Sequence, residues 1–116
     1  MPRQFDAGSL ADGQVQDAKT PIYTAPSGAD DIAVYVRSLS LYSTNAAAQT
    51  VLLWITRDAG GSRRWRPRFV FNQDESAEVL AAGEVVILSP GDAIEAQTTT
   101  DNGVDFVLTG VVETAP

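Results

Sequence analysis

Apolar and polar residues alternate along this chain with a period of two, in short runs separated by turn residues. That is the pattern of β-strands whose two faces meet different surroundings. Thr20 to Pro26 (TPIYTAP) reads as a short strand closed by Pro26 and Gly28. Asp31 to Ser43 (DIAVYVRSLSLYS) reads as a long one whose apolar phase changes midway. Val34 and Val36 hold even positions, then Leu39 and Leu41 hold odd ones. A period-two pattern changes parity only where a strand carries an extra residue or changes sheets. The sequence therefore predicts a bulge or bend near Arg37 and Ser38.

The same reading continues to the C-terminal end. Thr44 to Gln49 is a loop of small residues, and Thr50 to Arg57 is apolar on both faces, as a central strand would be. Asp58 to Gly61 is a turn, and Ser62 to Phe71 is the return strand of that hairpin. Pro67 has no N–H to give a ladder, so this strand lies at an edge or is broken there. Asn72 to Ser76 is a polar connection, and the runs Ala77–Ala81 and Glu84–Leu88 flank Ala82-Gly83. Ser89 to Asp92 (SPGD) fits a type II turn with Gly91 at its third position. Ile94 and Ala96 alternate with Glu95 and Gln97, Asp101 to Gly103 (DNG) signals a two-residue hairpin, and Val104 to Glu113 is the last strand.

Seven or eight strands with turns at short spacing predict an all-β antiparallel sandwich or barrel. No segment sustains a 3.6-residue apolar period, so almost no helix is expected. The expected core is Val34, Val36, Leu39, Leu41, Val51, Leu53, Ile55, Ile87, Ile94, Phe106 and Leu108. Residues 1–18, rich in Gly, Asp, Gln, Ser and Ala, read as an extended N-terminal arm or a weak first strand. An arm that docks on a neighbour and a frayed terminus are both compatible with that composition. Residues 19–116 read as one sandwich domain.

Composition narrows the chemistry. The chain has 116 residues, net charge −7, no cysteine and no histidine. A domain of this size buries roughly two thirds of the surface its unfolded chain exposes, so it folds without a disulfide or metal. Without His or Cys, zinc sites, Cys-His pairs and Ser-His-Asp triads cannot be built. Carboxylates, lysine and oxygen-ligated ions remain. The acidic balance disfavours nucleic acid as a partner. No apolar run approaches the roughly 18 residues of a membrane-spanning helix, and the N-terminal residues lack a signal-peptide core. A soluble protein made in a cytoplasm is the expectation, with no membrane partner.

Three features are candidates for function. The Pro-Gly-Asp turn is similar to an element of the cupin jelly rolls, but their metal is held mainly by histidines, which this chain lacks. Asp92 is then expected to cap nearby backbone N–H groups. The carboxylates Asp30-Asp31, Asp74-Glu75-Glu78 and Asp101-Asp105 have no EF-hand spacing and read as solvated side chains near turns. A glycosidase-like pair drawn from them has no support in their spacing, so no enzyme, metal or cofactor is expected. The third feature is RRWRPRF, which holds four of the eight Lys and Arg residues. On a continuous strand, Arg64, Arg66 and Arg68 share one face, while Arg63, Trp65, Pro67 and Phe69 share the other. A solvated edge, a nucleic-acid contact and a protein contact all fit. Charge on an otherwise acidic molecule favours protein contact, through Arg64, Trp65, Arg66 and Arg68.

The run IYTAPSG…VYVRSLSLYSTNAAAQTVLLWI…LSPGDAIEAQTT…VDFVLTGV, about Ile22 to Glu113, resembles small all-β virion proteins of tailed bacteriophages. These accessory proteins decorate the capsid, neck or tail. The resemblance does not extend to RRWRPR. It implies a jelly-roll-like β-sandwich and a non-enzymatic structural protein attached to a particle in multiple copies. The implied partners are other copies of itself, with a trimer the simplest closed form, and virion proteins such as the major capsid or tail protein. The implied location is the virion, after synthesis in the bacterial host cytoplasm. A module that binds host glycan is the alternative, with Tyr35, Tyr42, Trp54 and Trp65 as candidate aromatic platforms.

Overall fold

The computed structural model describes residues 3–116, and it is built from ten strands with no helix among the described residues. In chain order they are β1 (Gln4–Val15), β2 (Thr20–Thr24), β3 (Asp31–Ser43), β4 (Gln49–Arg57), β5 (Gly61–Arg64), β6 (Phe69–Phe71), β7 (Ser76–Glu78), β8 (Val86–Leu88), β9 (Ala93–Gln97) and β10 (Val104–Thr114). All pairings are antiparallel. The first sheet runs β1-β10-β3, with β7 and β8 sharing the far edge of β3; the second runs β2-β9-β4, with β5 and β6 sharing the far edge of β4. Counting each shared edge as one strand position gives two four-position sheets between which the chain alternates. That order is a jelly roll, in which two Greek keys close a sandwich.

The N-terminal stretch expected as an arm or weak first strand is β1, paired to β10 from Gln4↔Thr114 to Val15↔Val104. Met1 and Pro2 of that stretch lie outside the described residues. β1, β10 and β3 run 12, 11 and 13 residues, which gives the molecule its length of 52 Å against 26 and 20 Å in the other directions.

The predicted bulge is at Arg37. Ser38 pairs Thr109 and Val36 pairs Gly110, so Arg37 has no partner on β10. The extra residue turns Val34, Val36, Leu39 and Leu41 all inward, each buried. On the other side of β10, β1 carries an extra residue one step away: Ser9 pairs Thr109, Ala11 pairs Leu108, and Leu10 is left over. Leu10 folds onto the core, over Gly110. A side chain on Gly110 would collide with the carbonyl oxygen of Tyr35 and come within 3.0 Å of Leu10 Cδ1.

Nine of the eleven expected core residues are buried; Ile55 is half-buried at the margin and Ile87 is 54% exposed. The correction at Ile87 follows from pairing. β8 is three residues of an unbroken apolar run, so its phase is set by β3, where Leu88 pairs buried Val34 and Ile87 pairs outward-facing Tyr35.

The hairpin expected at Asp101–Gly103 is also corrected. β9 belongs to the second sheet and β10 to the first, so residues 98–103 cross between sheets. Gln49, fully buried, holds that crossing. Its Oε1 accepts from the Thr100 N–H at 2.8 Å and Thr98 Oγ1 at 3.1 Å, while its Nε2 donates to Thr100 Oγ1 at 3.1 Å and the Ala47 carbonyl at 3.2 Å. The Thr98 and Asn102 N–H groups bond the carbonyls of Gln16 and Val15. A buried amide with its polar groups satisfied specifies the chain path there, since an unpaired one would carry a desolvation cost.

Gly110→Ala puts a methyl group against backbone that cannot rotate away. The expected loss is about 1–3 kcal/mol of stability, read as a lower urea midpoint at unchanged m-value.

Candidate interaction surface

The Arg-Trp segment does not form a ladder of guanidiniums, which corrects the one-face expectation. β5 ends at Arg64, and the Trp65 N–H still donates to the Leu53 carbonyl at 2.8 Å. The chain then leaves the ladder, with Arg66 at φ 70° and Pro67 next, before rejoining β4 as β6. Proline supplies no N–H and disfavours helical backbone in the residue before it, so alternation stops there. The four candidate residues therefore have different surroundings. Arg64 stands over the Trp54 ring, with its Cζ 5.5 Å from the centroid. Trp65 packs half-buried against the core. Arg66 stacks on Trp65 and pairs with Glu84 at 2.7 Å. That contact, ahead of a bond from the Ala81 N–H, holds the Glu84 carboxyl below its ordinary range. Arg68 is exposed and in no ion pair among the described residues. All four lie along the edge of the second sheet that β5 and β6 form on β4, so they share a margin rather than a face.

Beside this margin is the outer face of the second sheet. Trp54 pairs Glu95 on β9 and Arg64 on β5. Lys19, from the connection between β1 and β2, places its Nζ 5.0 Å from the Trp54 centroid and donates to Ser62 Oγ at 2.8 Å. One half-buried indole thus carries two cations. Trp54 was expected only as one of four aromatic candidates. Its cationic neighbours were missed, because Lys19 is far away in sequence and nothing local signals the contact.

The outer face of the first sheet divides at the bulges. On one side a row crosses four strands, Ile87, Tyr35, Val111 and Ala7, with exposed Phe5 beside it. Tyr35 donates to buried Glu113 at 2.6 Å, and Arg3 donates to the same carboxylate at 2.9 Å. The bond to Glu113, together with burial and its charge, pushes the Tyr35 hydroxyl up from its ordinary pKa. An open depression of about 600 Å³ lies along the bulges, lined by Ala7, Gly8, Ser9, Arg37, Thr109, Gly110 and Val111. Arg37 is its one ionisable group, which provides no acid–base or nucleophilic pair. On the other side of the bulges the face is acidic, with Asp12, Asp74, Glu78 and Asp105 around exposed Val107 and Tyr42.

Asp92 has the capping role expected of it. Gly91 supplies the positive φ of the turn, at 87°. The buried Asp92 carboxylate accepts from the Ser89 N–H at 2.9 Å, the Asp58 N–H at 2.9 Å and Arg57 Nη1 at 2.8 Å. Among the described residues no group of three or more His, Cys, Asp or Glu side chains is placed to hold a metal ion.

No protein-family model matches the sequence, and no curated protein matches it. Among solved structures, a chain of the T13 IBDV viral particle has a similar fold. The TM-score is 0.58 at 9% identity, over 97% of this chain and 31% of that one. The likeness is one of fold, and this chain spans about a third of the length of the other.

Asp92 generates a pH-dependent prediction. Burial alone would raise its carboxyl pKa, but the bonds from the Asp58 N–H, Arg57 and the Ser89 N–H outweigh burial and lower it. A group with a depressed folded pKa stabilises the fold above its unfolded value, about 3.9 for Asp, and loses that contribution as pH falls through the folded value. Asp92→Asn is expected to cost about 2–4 kcal/mol at pH 7, by leaving Arg57 and one N–H without their acceptor. It should also flatten the fall in stability below about pH 4. Urea melts of both proteins from pH 7 to pH 2 measure the two effects.

Proposed function

We propose that this chain is a non-enzymatic structural protein of a tailed-phage particle, attached in multiple copies to the capsid or tail, which it decorates or stabilises. The observation that carries this reading is the complete jelly roll, shared over 97% of the chain with part of a chain from a viral particle. The sequence resemblance to tailed-phage accessory proteins supports it from a separate direction. Such a protein needs rigidity and surface rather than a reaction centre. Two sheets closed on an apolar core supply the rigidity, and outer faces bearing aromatic, aliphatic and charged side chains supply the surface. Its partners on this reading are other copies of itself and virion proteins such as the major capsid or tail protein, with the virion as its location. No helix of the described residues is long and apolar enough to cross a membrane.

The contact with the particle is assigned to the β5–β6 margin. Arg64 and Arg68 are in no ion pair among the described residues, and Trp65 anchors the segment on the core. Arg and Trp are, with Tyr, enriched at the energetic centres of protein contacts. Arg66 is engaged with Glu84 and serves mainly to hold the segment in place.

Quantitative mass spectrometry of purified particles tests the reading. The expected result is this chain at a fixed ratio of many copies to the major capsid protein, and its absence would overturn the proposal. Arg64→Glu with Arg68→Glu should lower incorporation at least tenfold, since like charges across a contact cost several kcal/mol. The thermal midpoint should stay within a few degrees, because neither arginine is buried. Unchanged incorporation would remove the margin from the contact.

A further inference from the structure

The eight cations of this acidic chain are unevenly placed. Three are paired within it: Arg3 with Glu113, Arg57 with Asp92 and Arg66 with Glu84. Arg37 sits on the bulge. The other four, Lys19, Arg63, Arg64 and Arg68, gather on the second sheet around Trp54 and along the β5–β6 margin, and none is in an ion pair among the described residues. Lys19 and Arg64 share one indole at 5.0 and 5.5 Å. The ring attracts each of them, yet they repel each other, and an anion placed against the pair relieves that repulsion. Glu95, across the ladder from Trp54, is bonded by the neutral Thr56 hydroxyl and keeps its charge, so among the described residues the face holds one carboxylate against these four cations.

The opposite outer face of the sandwich is the reverse. Where β3 ends and β10 begins, Asp12, Asp74, Glu78 and Asp105 surround Val107 and Tyr42, which are 45% and 41% exposed. Three of these carboxylates are oriented by hydrogen bonds from neutral groups. Gln14 donates to Asp105 at 3.1 Å, Tyr42 to Asp74 at 2.9 Å and Ser40 to Glu78 at 2.7 Å. None of them is in an ion pair among the described residues, so their negative charge stays uncompensated there.

We propose that these two faces dock on each other between copies, the Trp54 face of one molecule against the Val107–Tyr42 face of the next. One face offers an aromatic centre flanked by cations, the other an apolar centre ringed by carboxylates, which is the arrangement of a protein contact with a polar rim. The occupant is a second copy because this chain supplies both halves of the match. The faces belong to different sheets, so the contact is heterologous, and repetition gives a ring if the rotation closes or a stack if it does not. Each copy carries net charge −7, but that long-range repulsion is screened beyond about 8 Å at physiological salt, while the contact pairs lie closer. The contact deepens the multi-copy reading above by naming its faces, and it is tested on the purified chain without particles. Failure of the particle experiment therefore leaves it standing, and its own failure leaves the particle reading standing.

The experiment is light scattering and sedimentation of the full chain in about 0.1 M and about 1 M salt. The expected result is an oligomer that dissociates as salt rises. Lys19→Glu with Arg64→Glu makes both faces acidic, and Asp12→Lys with Glu78→Lys and Asp105→Lys, which leaves Asp74 as the one carboxylate of the four, makes both basic. Each variant alone should associate at least tenfold more weakly, and a one-to-one mixture should reassemble, because each now offers what the other needs. In a Trp65→Phe background, Trp54 is the one remaining tryptophan, and its emission should shift to the blue on association. Thermal melts establish that the variants are folded. A wild-type chain monomeric in 0.1 M salt overturns the proposal, as does a mixture of folded variants that stays monomeric. A monomeric chain whose Trp54 emission responds to a uronic-acid oligosaccharide, and loses the response in Lys19→Glu with Arg64→Glu, would give this face to glycan instead and also overturn it.

Discussion

β10 is gripped between two bulged neighbours, and the remainder of the first sheet depends on that constraint. Arg37 on β3 and Leu10 on β1 are extra residues within one step of each other along β10. At that level β10 has Gly110, where no side chain fits beneath the Tyr35 carbonyl and Leu10. The shift allows one strand to send Val34, Val36, Leu39 and Leu41 to the same core although their parity differs. It also divides the outer face into an apolar region beside Tyr35 and an acidic one beside Tyr42. Bulges bend a strand and increase its twist, and here they give one sheet two surfaces of different chemistry.

The two sheets are joined chiefly by apolar packing, but buried polar groups fix where the chain passes between them. Gln49 meets the crossing that leads into β10, and Asp92 holds the turn into β9 together with the end of β4. These groups add specificity to a core that hydrophobicity alone would fill in several ways. Their position at crossings, away from the outer faces, keeps them structural.

Local conflicts in the sequence were the most informative signals. The parity change between Val36 and Leu39 has one physical resolution, and the bulge at Arg37 is where the structure has it. The SPGD turn and the capping role of Asp92 were legible because proline, glycine and aspartate each impose a distinct backbone requirement. Legibility ended where the deciding contact is distant. The phase of Ile87 and Leu88 is set by β3, roughly fifty residues earlier, since a run of apolar residues has no phase of its own. Asp101–Gly103 has a hairpin's composition but connects strands of different sheets, and local turn chemistry does not encode sheet membership. The arginines of RRWRPRF alternate correctly on paper, but Pro67 interrupts the strand that would have aligned them. Its effect was visible in the sequence as a break, and the separation of Arg64, Arg66 and Arg68 follows from it.

The β1–β10 ladder places Gln4 opposite Thr114 at one end and Val15 opposite Val104 at the other. Its hydrogen bonds run across the strands, so its mechanical strength depends on where a load enters. Tension applied between Gln4 and Thr114 opens the rungs one after another, as a zip does, and meets little resistance. Tension between Gln4 and Val104 slides the strands past each other and strains the rungs together. The molecule is thus compliant to a pull at the Gln4–Thr114 end and stiff to one along its 52 Å axis, and the way it is tethered determines which of the two an assembly would feel.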